Sequence, residues 1–376
     1  MYMAVLYFVL IVVVIYMISL LIYIVGNFIS KKNKTQNKEN APVSVIIAIK
    51  NGEKSLPPLL NDLENQHYKG EYEFIIVDDQ SHDNTKNIIQ EFERKNKKIK
   101  YVSSSTGDNN LFFKKRALDA GIKMASHEIL IFTDVDCRLK NTWLESMANC
   151  FDNNIDYVIG YSEISNPSNL ISWFQKIDLL MMMTAGRATC NLNKPFACTG
   201  QNQAYKKSLY KKIGFLKINS IQGDDSLFMQ LCAKEKIKII FNDNKESFVE
   251  SRMETNMMEF IKQRIRWAGD AKVMWNYNKG YFLIFLSTFL TNFLLLLSPF
   301  IIILYKNFWQ YLVIIFAVKF ILEGIIYIIG STKLHTTQNP IMFICWYIIE
   351  IPYIVLMGIG SFFIKYIGWK GQKIAD

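Results

Sequence analysis

Paired carboxylates follow two apolar segments in the first half of this 376-residue chain. One segment ends in Asp78 and Asp79, and the other ends in TDVDC, which contributes Asp134 and Asp136. Carboxylate oxygens are hard ligands that suit Mg²⁺ or Mn²⁺, which commonly bind through one or two carboxylates plus the phosphates of a substrate. The alternatives at this point are a divalent-metal site and a loop of solvated acids.

A further acidic pair stands in IQGDDSLFMQL, where Asp224 and Asp225 precede apolar residues at helical spacing. Two adjacent carboxylates favour the sharing of a proton and so raise a pKa, which suits a general base. The other explanation is an N-terminal cap of the helix that follows.

The segment QRIRW places Gln263, Arg266 and Trp267 on one face of a predicted helix. Arginine can bind a diphosphate through two parallel hydrogen bonds, and an indole offers a sugar ring a flat apolar surface. Arg and Trp also occur together at membrane interfaces, and QRIRW directly precedes a long apolar run. Both interpretations stay open from these residues alone.

The elements that must position these side chains alternate between strands and helices. Apolar strands alternating with helical patterns predict an α/β fold with a mostly parallel sheet, which binds ligands outside the carboxyl ends of its strands. The predicted strands are Val43–Ile49, Glu73–Asp79 and Glu128–Asp136, and the predicted helices cover about 56–66, 83–97 and 114–125.

Long apolar runs occupy both ends of the chain. Each exceeds the roughly 20 residues that a helix needs to cross about 30 Å of hydrocarbon. The runs are Met1–Ile29, Tyr281–Tyr305, Phe308–Gly330 and Ile341–Ile364. The first run is longer than a typical signal-peptide core and lacks a basic segment before it and a small-residue cleavage site after it, which favours a retained helix.

These features divide the chain into five predicted regions. They are an N-terminal transmembrane helix (1–29), a polar linker (30–41), a globular domain (42–280), a C-terminal transmembrane region (281–364) and a basic tail (365–376).

The composition agrees with a membrane protein. Hydrophobic residues make up 51% of the chain, and the net charge is +10. Lysines beside membrane segments attract anionic headgroups, whereas the scattered basic residues form no stripe of the kind that binds nucleic acid. The six cysteines show no zinc-type spacing and are expected to be reduced and partly buried.

Together these motifs resemble glycosyltransferase family 2, in its membrane-integrated branch with the cellulose, chitin and hyaluronan synthases. The resemblance covers about Val43 to Trp267 and the arrangement of one apolar run before and several after. It implies a GT-A-type nucleotide-sugar-binding domain, a nucleotide-sugar donor, a lipid or growing glycan as acceptor, and Mg²⁺ or Mn²⁺ as cofactor.

The resemblance also implies residue roles. VSVIIAIKNGE matches the first strand, VDDQSHDNT the nucleotide-contacting loop, TDVDC the metal-binding motif and FACTGQN the acceptor-side segment. The implied donor-binding residues are Glu53, Asp79, Lys114, Asp134, Gln263 and Arg266. The implied acceptor-binding residues are Gly200, Gln201, Asn202 and Trp267, and the implied metal ligands are Asp134 and Asp136. In FKKRALDAG the family often has Asn where this chain has Asp119, so the role of that position stays open.

The catalytic base has two candidates. GDD matches the base motif of the hyaluronan branch, which implies Asp225, whereas alignment of the apolar residues downstream implies Asp224. We favour Asp225. The implied reaction is a single inverting displacement in which this carboxylate takes the proton of the acceptor hydroxyl, with the catalytic domain on the cytoplasmic side of the inner membrane.

Two helical segments allow more than one interpretation. Trp173–Arg187 is either a core helix or a helix in the membrane interface. Within the third apolar run, Lys319 and Glu323 stand at i and i+4 and either pair without further function or mark a functional path. The lysines of the tail favour a cytoplasmic C-terminus. If the domain is cytoplasmic, however, one span before it and three after it would place both termini outside.

Competing functions remain. A catalytically inactive membrane scaffold would keep the fold but release no nucleoside diphosphate. Among enzymes, QRIRW favours a processive polysaccharide synthase, whereas only three C-terminal spans favour a transferase that adds one sugar to a glycolipid.

Overall fold

The computed structural model describes residues 2–29, 40–152, 154–218, 220, 223–235 and 237–366. Most of the predicted linker (30–39) and most of the basic tail (367–376) lie outside these residues, so the orientation expected from the tail lysines stays a prediction.

Strands and helices alternate through the first half of the chain, and long helices follow. The strands are β1 Val43–Ile49, β2 Tyr72–Asp78, β3 Ile99–Ser103, β4 Ile129–Phe132, β5 Arg138–Leu139, β6 Tyr157–Gly160, β7 Ser162–Glu163, β8 Gln203–Lys206, β9 Ile239–Asn242 and β10 Val249–Glu250. The helices are α1 Tyr2–Phe28, α2 Leu56–Glu64, α3 Thr85–Lys95, α4 Phe113–Met124, α5 Trp143–Ala148, α6 Leu170–Asn191, α7 Lys207–Ile213, α8 Ser226–Lys234, α9 Met257–Tyr277, α10 Lys279–Leu296, α11 Ser298–Leu304, α12 Trp309–Lys333 and α13 Pro340–Gly360.

The chain divides into two compact units at points that differ from the predicted boundaries. Residues 30–165 and 190–252 form one unit, the sheet unit, which contains strands β1 to β10. Residues 1–29, 166–189 and 253–376 form the other, the helical unit. Segments 166–189 and 253–280, expected in the catalytic domain, therefore group with the apolar helices.

The sheet unit has the mixed α/β fold that the strand and helix patterns predict. Its main sheet has the order β3-β2-β1-β4-β8-β6-β9. The first four strands in that order are parallel to one another, β8 is antiparallel to both of its neighbours, and β9 is parallel to β6. A second sheet of three short strands has the order β5-β10-β7.

The central strands are nearly continuous apolar runs because the sheet is covered on both faces. All residues of β4 and six of the seven in β1 are buried, as expected for parallel strands with helices on either side. Helix α2 buries Leu56, Leu59, Leu60 and Leu63 in the same core.

Strand register brings the ends of β2 and β4 to one edge of the sheet. Ile49, the last residue of β1, lies opposite Asp78, and Ile46 lies opposite Phe132. β4 ends at Phe132 rather than at the predicted Asp136. The loops that carry the acidic motifs therefore leave the same edge of the sheet, on either side of β1, as the parallel arrangement requires.

Among the described residues, the helical unit contains four helices that are long and apolar enough to cross a membrane, one near the N-terminus and three towards the C-terminus. They are Tyr7–Phe28, Lys279–Leu296, Lys306–Lys333 and Pro340–Phe363. The predicted single run Tyr281–Tyr305 is interrupted, because α10 ends at Leu296 and Pro299 stands at the start of α11.

Helix α6 is a buried helix of the helical unit. Most side chains of the segment predicted over Trp173–Arg187 are buried, including Met183 and Thr184. Asn27 of α1 donates to the Thr184 carbonyl (3.0 Å), and a Cβ at Gly330 of α12 would meet the Thr184 side chain. This packing agrees with a core helix and not with a helix that exposes an apolar face at an interface.

A buried ionic cluster connects three of the apolar helices. Lys319 of α12 is fully buried, and its Nζ lies 2.8 Å from Glu323 Oε2 and 2.7 Å from Glu350 Oε2 of α13. The Tyr16 hydroxyl of α1 donates to Glu323, and the Lys319 ammonium lies 4.4 Å from the centroid of the Tyr347 ring. The pair expected from spacing is therefore part of a larger cluster that joins α1, α12 and α13.

We predict that Lys319→Met destabilises the detergent-solubilised protein by about 3–5 kcal/mol, because it leaves two buried carboxylates without their cation. The triple variant Lys319→Met/Glu323→Gln/Glu350→Gln should recover most of the loss, since it removes the charges together. Lys333→Met, at the exposed end of the same helix, is the control. Thermal unfolding followed by circular dichroism would measure the differences, and equal melting temperatures for Lys319→Met and the control would contradict the prediction.

Candidate active site

The acids of TDVDC lie in a turn directly after β4. The Cys137 amide donates to the Asp134 carbonyl (3.2 Å), which closes the turn. The Asp134 side chain is 26% exposed, and Asp136 is exposed. The chain thus leaves extended geometry between Phe132 and Cys137, so Asp134 and Asp136 belong to one turn.

An ammonium group lies among the acids of the site. Lys114 Nζ is 2.8 Å from Asp134 Oδ1 and 3.3 Å from Asp224 Oδ2. Burial opposes the charge of Lys114, but these two carboxylates outweigh that effect and hold its pKa well above the ordinary value. Lys114 therefore links the loop after β4 to the GDD segment, which lies far along the chain from that loop.

The backbone before Lys114 is strained. Phe113, the first residue of α4, has a φ of +54°, a left-handed conformation that is costly for a bulky side chain. Such strain persists only where other interactions of the surrounding structure hold the residue in place. The two ion pairs of Lys114 are interactions of that kind.

The two acids of GDD have different surroundings. Asp224 is 7% exposed and contacts Lys114. Asp225 is partly exposed and is the N-cap residue of α8, where its Oδ1 accepts from the Ser226 amide and its Oδ2 accepts from the Gly200 amide (3.1 Å). The helix cap expected as an alternative is therefore present, and the same carboxylate also belongs to the charged cluster.

Gly200 leaves open the space that the charged groups surround. A Cβ at this position would lie 3.0 Å from Lys114 Nζ, 3.4 Å from Asp224 Oδ2 and 3.7 Å from Asp225 Oδ2. The amide of Gly200 supplies one hydrogen bond to the cluster, and its missing side chain supplies the room. We name Lys114, Asp134, Asp224, Asp225 and Gly200 the central cluster.

Asp225 is electrostatically suited to take up a proton. Burial and the neighbouring Asp224 raise its pKa to about 6, against the opposing effects of Lys114 and of the amides of Ser226 and Gly200. A general base works best when its pKa lies near the working pH. Among the two acids, Asp225 combines this pKa with partial exposure, whereas Asp224 is buried against the ammonium.

The predicted donor-binding residues Asp79 and Glu53 lie on two neighbouring loops. Asp79, at the end of β2, donates its amide to the Ile49 carbonyl (2.7 Å), and its buried Oδ2 has no hydrogen-bond partner among the described residues. Glu53 accepts from the Asn84 amide (3.1 Å) through Oε2. A buried carboxylate oxygen without a partner is costly and is suited to receive a donor from a ligand.

The acceptor-side segment has a buried end. Asn202 is fully buried, and its side chain donates to the carbonyls of Tyr161 (2.9 Å) and Ser247 (2.8 Å) and accepts from Trp143 Nε1 (3.1 Å). Its side chain therefore holds the segment in place, and its role toward an acceptor stays a prediction. Gln201 is partly exposed and donates to Ser251 Oγ (2.7 Å).

The QRIRW residues lie on α9, in the helical unit. Gln263 donates to Glu254 Oε1 (3.4 Å), Arg266 is partly buried, and Trp267 is 38% exposed. Their roles toward donor and acceptor stay predictions. The sequence patterns did not single out Arg264, whose guanidinium lies over the Trp267 ring. The one feature that could have drawn attention to it is that QRIRW contains a second arginine.

The donor set of the central cluster fits a divalent metal that binds mostly through a substrate. Among the described residues, no group of three or more His, Cys, Asp or Glu side chains is placed to hold a metal ion. The chain offers the carboxylates of Asp134 and Asp136 at one turn. Mg²⁺ and Mn²⁺ are bound in this way by one or two carboxylates together with phosphate oxygens.

We predict that Lys114→Met raises the pKa of Asp225 above its value of about 6, because the opposing attraction of the ammonium is lost. Infrared titration of the carboxyl band, assigned by comparison with Lys114→Met/Asp225→Asn, would measure the shift. Lys206→Met is the control, since Lys206 pairs with Asp156 (3.0 Å) elsewhere in the sheet unit. A pKa that stays constant or falls in Lys114→Met would contradict this account of the cluster.

Comparison with known proteins agrees with the motifs. Residues 44–214 match the model of glycosyl transferase family 2. A poly-beta-1,6-N-acetyl-D-glucosamine synthase of Staphylococcus epidermidis is 27% identical over 201 residues, which cover 53% of this chain and 47% of that protein. A GalNAc(5)-diNAcBac-PP-undecaprenol beta-1,3-glucosyltransferase of Campylobacter jejuni is 24% identical over 188 residues, 47% of this chain and 59% of that protein. The chain thus spans about half the length of these curated relatives.

A solved structure shares the fold. Mannosyltransferase PcManGT of Pyrobaculum calidifontis, in complex with GDP-Man and Mn²⁺, aligns with a TM-score of 0.57 and 13% identity over 94% of this chain and 97% of that one. This likeness supports the GT-A-type fold that the resemblance implied. The region of this chain over residues 44–214 belongs to glycosyl transferase family 2.

Proposed function

We propose that this chain is a membrane-bound glycosyltransferase that moves a sugar from a nucleotide-sugar donor to the hydroxyl of a lipid or growing glycan, with inversion at the sugar carbon. The observation that carries the proposal is the central cluster at the carboxyl edge of the parallel strands. It combines a partly exposed carboxylate of raised pKa with an ammonium held between two further acids.

Asp225 is the proposed general base. The acceptor hydroxyl loses its proton to this carboxylate as its oxygen bonds to the sugar carbon and the bond from that carbon to the nucleoside diphosphate breaks. Asp225 keeps its orientation through the amides of Ser226 and Gly200. A cap that holds the carboxylate rigidly is an advantage for a base, because the reacting groups must be held in near-attack geometry.

Charge in the central cluster bears on how a donor would bind. Three carboxylates (Asp134, Asp224 and Asp225) and one ammonium (Lys114) sum to two negative charges when all are ionised. A diphosphate adds negative charge to this site, so donor binding needs a further cation. Asp134 and Asp136 would hold Mg²⁺ or Mn²⁺, which supplies positive charge to the leaving diphosphate when bound.

The donor's nucleoside has a candidate partner in Asp79. Its buried Oδ2 lacks a hydrogen-bond partner among the described residues, and the N–H of a nucleotide base would satisfy it. Glu53 lies on the adjoining loop. Gln263 and Arg266 stay proposed ligands of the diphosphate, and Trp267 stays a proposed surface for the acceptor sugar.

The kind of acceptor follows from the apolar helices and the relatives. Four helices long enough to span a membrane suit an acceptor that is a lipid or a glycan made at the membrane. One relative is named for making a polysaccharide and another for adding glucose to an undecaprenol-linked glycan. Analysis of the products would therefore distinguish processive addition from the addition of a single sugar. We also propose an inner-membrane location with the sheet unit in the cytoplasm, where nucleotide sugars are found.

We expect Asp225→Asn to lower sugar transfer by about 10²–10⁴-fold, the usual contribution of a general base, while nucleoside diphosphate still binds. In the unchanged protein, transfer should fall as the pH drops through about 6, because protonation removes the base, and should be maximal above that pH. Release of nucleoside diphosphate, with mass spectrometry of products from mixed nucleotide sugars, would measure this.

Asp224→Asn serves as the comparison for Asp225→Asn. If Asp224→Asn abolishes transfer and Asp225→Asn stays active, the other acid is the base. If the unchanged protein, with metal supplied, releases no diphosphate from any nucleotide sugar, the chain is an inactive scaffold.

Asp134→Ala should lower transfer by about 100-fold or more, because a bound metal contributes several kcal/mol of charge stabilisation. It should also weaken Mn²⁺ binding in the presence of nucleoside diphosphate, as measured by calorimetry. Glu64→Ala, which removes an exposed acid of the sheet unit, is the control. Full activity of the unchanged protein in excess chelator would rule out the metal.

A further inference from the structure

A buried cation lies under the ring of Trp267. Arg264 is 4% exposed, and its guanidinium carbon is 4.1 Å from the centroid of the Trp267 ring and 5.1 Å from that of Phe260. The two rings stand at i+3 and i−4 relative to Arg264, so all three side chains share one stretch of α9. Guanidinium groups stack on aromatic faces in this way.

The charge of Arg264 is held from two other helices of the same unit. Its Nη1 lies 3.0 Å from Asp178 Oδ2 of α6, and the Tyr353 hydroxyl of α13 donates to the same oxygen (3.3 Å). Tyr353 also stacks on Phe260, with ring centroids 6.2 Å apart. The guanidinium is therefore fixed in position by contacts that do not involve Trp267.

Stability alone is a poor explanation for this arrangement. The Arg264 Nε–H is buried and has no hydrogen-bond partner among the described residues. Leaving a buried donor unsatisfied is costly, and a buried ion pair is often no better for stability than apolar residues of the same size. A methionine would fill the space between the rings without that cost.

The Trp267 side chain is not fully covered. Trp267 is 38% exposed even though the guanidinium covers part of its ring. An indole fixed with one face against a cation can offer only its other face to a ligand. Because a sugar ring stacks on an aromatic face, a ring that cannot rotate loses less freedom on binding.

We infer that Arg264, held by Asp178, is a positioning residue that fixes the Trp267 indole with one face covered and the other free to stack on a sugar ring of the acceptor. This rests on the proposed function, because the ligand is the glycan end of the proposed acceptor. Arg264 itself contacts neither sugar nor donor in this proposal and acts only through Trp267.

The test measures sugar binding through Trp267 alone, in the full chain in detergent. The fluorescence difference between each variant and the same variant carrying Trp267→Phe isolates this indole from the six other tryptophans. The probe is a β-linked N-acetylglucosamine oligosaccharide, added without donor. In the unchanged chain the difference signal should saturate with the oligosaccharide.

Three variants separate positioning from folding. Arg264→Met/Asp178→Asn removes both charges, so that neither is left buried and unpaired. Arg264→Lys keeps a cation for Asp178 but lacks the planar group that stacks on the ring. Lys262→Met is the matched control, because Lys262 is on the same helix in an exposed pair with Glu259 (2.8 Å).

We expect the half-saturating concentration to rise by about 2- to 30-fold in Arg264→Met/Asp178→Asn, as the loss of a cation–π contact would give. Acrylamide should also quench Trp267 more strongly in that variant. Arg264→Lys should be intermediate, and Lys262→Met should match the unchanged chain.

Equal half-saturation in all four proteins would overturn the inference, as would an unchanged chain whose Trp267 signal does not respond to the oligosaccharide. A response that Arg264→Lys fully preserves would show that charge alone suffices and would also overturn it. The proposed function fails separately, if the unchanged chain releases no diphosphate from any nucleotide sugar while Trp267 still binds the oligosaccharide in an Arg264-dependent way.

Discussion

The contact between one ammonium and two carboxylates is the interaction on which the central cluster depends. Two unit charges 4 Å apart interact by about 4 kcal/mol at an effective dielectric constant of 20, so Asp134 and Asp224, which contact Lys114 Nζ at 2.8 and 3.3 Å, would repel each other without that ammonium. The strained backbone at Phe113 and the open space at Gly200 both have a reason in this arrangement. The backbone at Phe113 places the ammonium, and the absence of a side chain at Gly200 leaves room beside it.

The same contact separates the roles of two adjacent acids. Asp224 and Asp225 are neighbours in the chain, yet one is buried against Lys114 and the other caps a helix and is partly exposed. The resulting balance raises the pKa of Asp225 to about 6, with burial and Asp224 acting against Lys114. A pair of equivalent carboxylates would offer no such distinction between an acid held against the ammonium and one that exchanges its proton near neutral pH.

Sequence patterns predicted the parts of the molecule that depend on local order. β1 begins and ends at the predicted residues, β2 differs by one residue at each end, and the parallel register places both acidic loops at one edge. These features follow from runs of apolar residues and from the way parallel strands join. The predicted length of β4 was wrong, because the turn at Asp134 ends the strand before the acids.

Local sequence patterns could not predict the contacts that define the site. The Lys114 contact with Asp224 joins residues far apart in the chain, and it favours one of two bases that the motifs left undecided. The side chain of Asn202 was assigned to the acceptor by its place in FACTGQN, but its burial depends on strands and loops elsewhere in the chain. Glu350 and Tyr16 joined the expected Lys319–Glu323 pair for the same reason.

Two of the buried cations of the helical unit, Lys319 and Arg264, are held in physically different ways, and the difference indicates what each is for. Lys319 has two carboxylates within hydrogen-bond distance and no exposed surface, as a charge must when it serves to fix which helices pack together. Arg264 has one carboxylate, an Nε–H without a partner among the described residues, and two aromatic rings. Two of the three Lys319 N–H donors lie within hydrogen-bond distance of carboxylates, and the ammonium also lies 4.4 Å from the centroid of the Tyr347 ring. Arg264 instead contacts the partly exposed Trp267 while its Nε–H has no partner among the described residues. This is the pattern expected where packing serves a site.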